Sequence, residues 1–278
     1  MEYVFYRGEY VLRNQAVIQV DDRAHRFADG FFESIRIING KAQFLENHFA
    51  RVDATIKALK IQPSDFSFDL LSQHINGLLQ RNEIFEGGRM RITFFRKAKG
   101  FYLPKGNDLD YFIEVEALPN NLFALNETGK VIDIYTEVKK DPNKYAGFKT
   151  LNAQLYVMAS IFAEEKNWDD ALIQNTKQAI IESTNSNLFL VSNGVLYTPA
   201  LTDGCVGGTM RMHIINLAVQ SKLKVYECTM TPQTLLSADE VFLTNAIKGI
   251  EWVNSYRTKP YQNGFSKKLL ELLNNSVK

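Results

Sequence analysis

One short segment constrains the fold most tightly. Ile35-Arg-Ile-Ile-Asn39-Gly40-Lys-Ala-Gln-Phe44 sets apolar and β-branched residues on either side of an Asn-Gly pair. Asn-Gly adopts the two positive φ angles of a type I′ turn at little cost, so a β-hairpin is expected here. Directly behind it, Leu45, Phe49, Val52, Ile56 and Leu59 recur at alternating steps of four and three, which draws one apolar stripe along a helix. Leu70, Leu71, Ile75, Leu78 and Leu79 predict a second helix, and residues 89–95 and 111–117 then read as strands. Two helices in succession between strands break the alternation of a parallel βαβ sheet, so the expected fold class is α+β.

The chain has 278 residues, of which 45% are apolar and 23% charged, enough hydrophobic material for two ordinary domains. Leu118-Pro-Asn-Asn-Leu-Phe-Ala-Leu-Asn126 carries turn residues ahead of a new strand-like run at 131–135. That places a linker at 118–126, between a smaller N-terminal α+β domain at 1–117 and a larger C-terminal domain at 127–278. In the second domain a helix is expected over 152–166. Strand-like runs follow at 170–174, 179–182 and 188–191, and an Asn193-Gly194 turn leads into 195–197. A helix over 209–223 and strands at 224–229 and 240–244 complete a mostly β body with helices on it.

Charge and composition narrow the partners. Lys and Arg total 32 against 31 Asp and Glu, a formal charge of +1, so no net field recruits nucleic acid or an anionic membrane. A small molecule is the expected partner. Cys205 and Cys228 form no CxxC pair, which fits a reducing compartment. His25, His48, His74 and His213 lack ligand spacing, so no metal is expected. The N-terminus has no basic segment followed by an apolar one, and no run is long enough to span a bilayer; the expected location is cytoplasmic.

Three features can carry chemistry. Lys149, after Tyr145-Ala-Gly-Phe148, sits in a weakly polar setting where desolvation would free its amine to act as nucleophile and base; most lysines are instead solvated surface groups. Glu182 ends the apolar run at 179–181, and its ordinary alternative is a strand-end carboxylate facing water. Gly207-Gly208-Thr209 opens a helix, where unpaired amides and the helix dipole favour a phosphate, although a glycine pair also makes a plain turn. A Schiff-base lysine, a carboxylate for a protonated pyridine nitrogen and a phosphate seat are the parts of a pyridoxal phosphate site.

Five blocks carry a resemblance. They are Asp22-Arg-Ala-His-Arg-Phe-Ala-Asp-Gly-Phe-Phe-Glu-Ser-Ile-Arg36, Phe44-Leu-Glu-Asn-His-Phe-Ala-Arg51, Lys149-Thr-Leu-Asn152, Glu182-Ser-Thr-Asn-Ser-Asn-Leu-Phe189 with Gly204-Cys-Val-Gly-Gly-Thr-Met-Arg211, and Ala238-Asp-Glu-Val-Phe-Leu-Thr-Asn-Ala-Ile-Lys-Gly-Ile250. In order and spacing the chain resembles the class IV aminotransferases, the fold type IV pyridoxal phosphate enzymes. That group takes in branched-chain aminotransferases, D-amino acid aminotransferases and 4-amino-4-deoxychorismate lyases. The resemblance implies a two-domain fold similar to D-amino acid aminotransferase. It implies pyridoxal 5'-phosphate on Lys149 with Glu182 at the ring nitrogen. Arg51, Gly208, Thr209 and the Asn245-Ala246 turn would then hold the phosphate, with Asn187 among the supporting donors. It further implies substrate contacts from Phe32, Ser34, Arg36, Arg91 and Arg96, with Phe31, Glu33 and Tyr102 beside them, and a homodimer.

Within the family, Lys149-Thr-Leu-Asn152 lacks the glycine pair and tyrosine that follow the lysine in branched-chain enzymes, and resembles the lyases and the D-amino acid enzymes. Asn245-Ala246, Met210 and Ser34 resemble the lyase form. The loop Arg96-Lys-Ala-Lys-Gly-Phe-Tyr-Leu-Pro104 also leans that way but lacks a second glycine and an arginine. The expected activity is 4-amino-4-deoxychorismate lyase, releasing pyruvate and 4-aminobenzoate for folate synthesis. An aminotransferase moving the amino group of a branched-chain or D-amino acid to a 2-oxo acid comes next. A non-catalytic binding protein is the remote alternative, disfavoured because Lys149 and Glu182 are both present.

Overall fold

In the computed structural model, which describes residues 2–277, the Asn-Gly hairpin forms a corner of the first unit. β1 (Tyr3–Tyr6) and β2 (Glu9–Leu12) pair, and a short α1 (Arg23–Phe27) follows. β3 (Gly30–Ile38) turns into β4 (Lys41–Ala42) through Asn39 and Gly40, both at positive φ. Next come α2 (Leu45–Ala58), α3 (Phe68–Arg81), β5 (Gly88–Lys97) and β6 (Asp108–Ala117). The sheet runs β2-β1-β6-β5-β3-β4 and is antiparallel throughout.

Side chains alternate across such a sheet. Phe31, Ile35, Met90, Ile92 and Phe94 fall on one face and pack with Val52 and Ile56 of α2 and Leu71, Ile75 and Leu78 of α3. The register puts Phe32, Ser34 and Arg36 on the opposite face, next to Thr93, Arg91 and Arg89. That second face is where polar and aromatic groups gather.

The second unit contains β7 (Lys130–Ile134), α4 (Gln154–Glu165), β8 (Asp170–Gln174), β9 (Ile180–Ser183), β10 (Asn187–Ser192) and β11 (Val195–Pro199). It continues with α5 (Thr209–Gln220), β12 (Val225–Cys228), α6 (Pro232–Ser237), β13 (Glu240–Asn245), β14 (Gly249–Tyr256), β15 (Lys259–Pro260) and α7 (Gly264–Asn275). The strand order is β12-β11-β10-β13-β14-β7-β8-β9, and β9 also meets β10 through Glu182 opposite Asn187, so the sheet closes on itself. Leu172, Leu188, Leu190, Val241, Leu243 and Val253 fill one face, each fully buried side chain contributing about 1.5–3 kcal/mol. On the other, Ala159 and Ala163 of α4 pack on Tyr135, Ala171, Ile173 and Ile181.

The chain passes from one unit to the other after Leu122, inside the expected linker. One expectation is corrected: residues 127–278 are not all of one unit, because Phe148–Asn152 belongs to the first. The reason is backbone pairing. Thr150 bridges Phe31, the Phe32 amide donates to Lys149 O at 3.0 Å, and the Leu151 amide donates to Gly30 O at 3.0 Å. Lys149 therefore lies in an extended segment ahead of α4.

Gly30 has no room for a side chain, since a Cβ there would sit 2.3 Å from Phe94 O and 3.0 Å from Leu151 Cδ1. Gly30→Ala is expected to cost about 2–4 kcal/mol of stability, read as a lowered thermal midpoint.

Candidate active site

Lys149 is set by the strand pairing just described, and its Nζ lies 4.4 Å from the centre of the Phe32 ring. The Arg91 guanidinium lies 3.7 Å from that same ring, and its Nε donates to Thr93 Oγ1 at 3.3 Å. Burial pushes Arg91 below the ordinary guanidinium value, with Glu114 opposing. A partly desolvated guanidinium beside an aromatic plane is well suited to a flat carboxylate. Ser34 stands directly across from Arg91 in the β3–β5 register, within a side chain's reach. A cavity of about 220 Å³ opens on this face, lined by Arg91, Thr93, Phe95, Phe112, Asp22 and His25 among others. The first unit thus brings together Lys149, Phe32, Ser34 and Arg91.

Other expected residues are engaged elsewhere. Glu33 is buried, taking His48 Nδ1 at 2.6 Å and both Arg51 Nε at 2.8 Å and Nη2 at 2.5 Å. Its expected contact with substrate is therefore corrected: the carboxylate anchors α2 to β3. The fork of Arg51 grips Glu33 as well, which fixes the direction of that guanidinium. Burial pushes Glu33 up, but Arg51 and His48 outweigh it and hold the carboxyl at about 2. Arg96 spends its donors on Asp29, Asn107 Oδ1 and the Leu59 and Lys60 carbonyls, and Arg36 donates to the carbonyls of Asn120 and Leu122. Both expected substrate arginines thus have acceptors within the first unit, as buried guanidinium groups demand. Phe31 stacks on Phe94 in the core at 4.8 Å, and Tyr102 is 89% exposed.

In the second unit, Glu182, Asn187 and Thr244 are paired across β9, β10 and β13 and so share a face. Glu182 is 3% exposed. Its Oε1 accepts from Lys140 Nζ and from Tyr156 Oη, each at 2.8 Å, and its Oε2 accepts the Val206 amide at 2.7 Å. Burial, then Glu182, pushes the Tyr156 phenol far above its ordinary value, so it stays a donor. Asn187 Nδ2 donates to Val206 O at 2.8 Å, holding the loop ahead of α5. A Cβ on Gly208 would fall 1.8 Å from Asn187 Oδ1; glycine is needed there for close approach.

The expected use of the glycine amides changes. Gly207 N–H donates to Gly147 O and Gly208 N–H to Val206 O. The amides available to an anion are those of the first turn of α5, from Thr209 onward, and no side chain caps that helix. Asn245 stabilises its own turn, accepting the Ile247 and Lys248 amides and donating to Ser186 Oγ at 2.9 Å. Ala246 follows in that turn. Sequence reasoning missed Lys140 and Tyr156: Lys140 lies in a surface-like Lys-Lys-Asp-Pro run and Tyr156 in an ordinary helical pattern.

The family model for amino-transferase class IV matches residues 30–256. The chain belongs to the class IV aminotransferase family. Members are pyridoxal phosphate enzymes, and so is this chain. D-alanine aminotransferase of Bacillus licheniformis is 25% identical over 281 residues, spanning 99% of this chain and 96% of the relative. Aminodeoxychorismate lyase of Bacillus subtilis is 25% identical over 247 residues, 88% of this chain and 83% of the relative. A solved Legionella pneumophila protein assigned as 4-amino-4-deoxychorismate lyase superposes with a TM-score of 0.82 at 28% identity, covering 94% of this chain and 95% of the other. Branched-chain aminotransferase of Escherichia coli, 22% identical, shares the fold with a TM-score of 0.87 over 97% and 92% of the two chains.

Three observations in the second unit fit the cofactor. Glu182 Oε2 keeps room for one more donor, the first-turn amides of α5 suit a phosphate, and the Thr244 hydroxyl is buried without a hydrogen-bond partner among the described residues.

Two outcomes follow. Gly208→Ala is expected to weaken cofactor binding at least about tenfold by displacing Asn187, read by absorbance titration. Glu33 contributes stability that is complete above its unfolded value near 4.5 and lost as the pH falls towards 2. Glu33→Gln should therefore remove about 3 kcal/mol at neutral pH and flatten the acid limb of a pH–stability curve.

Proposed function

We propose that this chain is a 4-amino-4-deoxychorismate lyase, releasing pyruvate and 4-aminobenzoate. The observation that carries the reading is the grouping of Lys149, Phe32, Ser34 and Arg91: a base, an aromatic surface, a hydroxyl and a carboxylate receptor serve an aromatising elimination. Bound pyridoxal phosphate would supply an aldehyde for the substrate amine and a ring that draws electrons from the adjacent carbon.

The remaining work falls to side chains. Lys149 holds the cofactor at rest and, once released, takes the proton from the amine-bearing carbon. Glu182 keeps the ring nitrogen protonated. The first-turn amides of Thr209 and its successors receive the phosphate beside the Asn245-Ala246 turn, and Gly208 lets the loop approach Asn187 closely. Arg51 remains a candidate for the same anion, in the direction its Glu33 fork allows. Asn187 holds the loop in place. Arg91 binds the substrate carboxylate, and Phe32 lies against its ring. The C–O bond on the neighbouring carbon would break, its electron pair leaving with enolpyruvate, and the methylene carbon would take a proton from the Ser34 hydroxyl, which regains one from the Lys149 ammonium. The proposed setting is a cytoplasmic homodimer working in folate synthesis.

A second reading is an aminotransferase for D- or branched-chain amino acids. It is supported by the match to D-alanine aminotransferase along 99% of the chain.

Product analysis separates the two. Cofactor-loaded protein incubated with 4-amino-4-deoxychorismate should release pyruvate and 4-aminobenzoate in equal amounts without a 2-oxo acid. Alanine or glutamate formed from an amino acid and a 2-oxo acid, with no aminobenzoate, would replace this reading by the second. Lys149→Ala should abolish turnover and leave nothing for borohydride to trap; Ser34→Ala should slow the lyase reaction about tenfold or more.

A further inference from the structure

The carboxylate of Glu182 is restrained on one side. Each carboxylate oxygen can accept two hydrogen bonds. Among the described residues Oε1 takes two, from Lys140 Nζ and Tyr156 Oη, whereas Oε2 takes one, from the Val206 amide. The two Oε1 donors come from different places. Tyr156 projects from α4. Lys140 lies beside β8, its backbone bonded to Gln174 O and the Thr176 amide. Its ammonium is fixed further by Ala146 O at 2.8 Å and by the Tyr156 ring at 5.6 Å. The terminal torsion of a glutamate is soft and nearly two-fold, so a carboxylate without such donors would present either oxygen.

We propose that Lys140 and Tyr156 are positioning residues that jointly hold Glu182 Oε1, so that Oε2 alone is offered to the cofactor's ring nitrogen. This rests on the reading of Glu182 as the ring-nitrogen partner. Lys140 also places a positive charge beside the carboxylate, which weakens its pull on the ring proton below that of a lone buried anion. The clamp thereby sets both the direction and the strength of the contact. Both residues act through Glu182.

The test is the nitrogen resonance of pyridoxal phosphate labelled with 15N in the ring, bound to the intact protein. Wild type is compared with Tyr156→Phe, Lys140→Met, Lys140→Arg and Glu182→Gln, and with the first two combined with Glu182→Gln. The expected result is a protonated-ring resonance in wild type that moves to the unprotonated range in Glu182→Gln. Tyr156→Phe and Lys140→Met should each displace the resonance and its pH profile, and Lys140→Arg should restore both. In the Glu182→Gln background neither should have any further effect, because a residue acting through Glu182 has nothing left to act on. Wild-type resonances in both single variants would overturn the clamp, as would displacements of unchanged size in the Glu182→Gln background. An unmoved resonance in Glu182→Gln itself would remove Glu182 as the partner, an outcome distinct from failure of the clamp alone. Two independent donors keep the test decisive if one variant does not fold.

Discussion

The second unit depends on a single pair of residues, Glu182 opposite Asn187, where β9 meets β10 and the sheet closes. An unclosed sheet would leave two edges of unsatisfied backbone groups. Closure needs a tight reversal of the chain, and Asp170 provides for it. Its carboxylate accepts Ser183 Oγ, the Thr184 amide and Thr184 Oγ1, while the Ser183 amide donates to Ser186 O. The turn is thus fixed, and the two residues that close the sheet are also the two that bond Val206 in the loop ahead of α5. Asn187 transmits the position of the strand to the loop at Val206, and the helix start follows.

Two buried glutamates illustrate how surroundings divide labour between chemically identical groups. Glu33 and Glu182 are both within a few per cent of full burial, at 1% and 3% exposed. Arg51 and His48 meet Glu33 from one helix with three hydrogen bonds, so breaking the pair would strand a charge in the core. Glu182 has donors on three of the four places an ionised carboxylate offers. What separates the two is where the donors come from: an imidazole and a guanidinium fork on one helix hold Glu33, whereas an ammonium, a phenol and a backbone amide from three separate segments hold Glu182. Neither difference is visible in residue type or in local pattern.

Legibility in the sequence followed the range of the forces involved. The Asn39-Gly40 hairpin, the stripes of α2 and α3 and the apolar runs of β8 to β10 are local patterns, and the chain reads out accordingly. β1 and β2 are only four residues each, too short for a period to register. β14 mixes a buried Glu251, paired with Lys130, into its run and so hides its alternation. The roles expected for Lys149 and Glu182 came from block order and spacing, since a lone lysine or strand-end glutamate carries no signature. Tertiary pairing lay beyond reach: Glu33 and Arg51 are 18 residues apart, and Lys140 and Glu182 are 42 apart. For that reason Arg36 and Arg96 looked like substrate groups, although Arg36 Nη2 donates to backbone carbonyls and Arg96 to Asp29, Asn107 and two further carbonyls.

The five residues Phe148–Asn152 make the first unit a discontinuous object. Its sheet is finished, along Gly30 to Phe32, by backbone arriving from far downstream. A gene fragment ending at Leu122 would encode a sheet with that stretch unpaired and prone to recruit a foreign strand. Recombination that exchanged only the leading segment would join one parent's β3 to the other parent's lysine strand. The two compact units of this protein are therefore not inheritable modules.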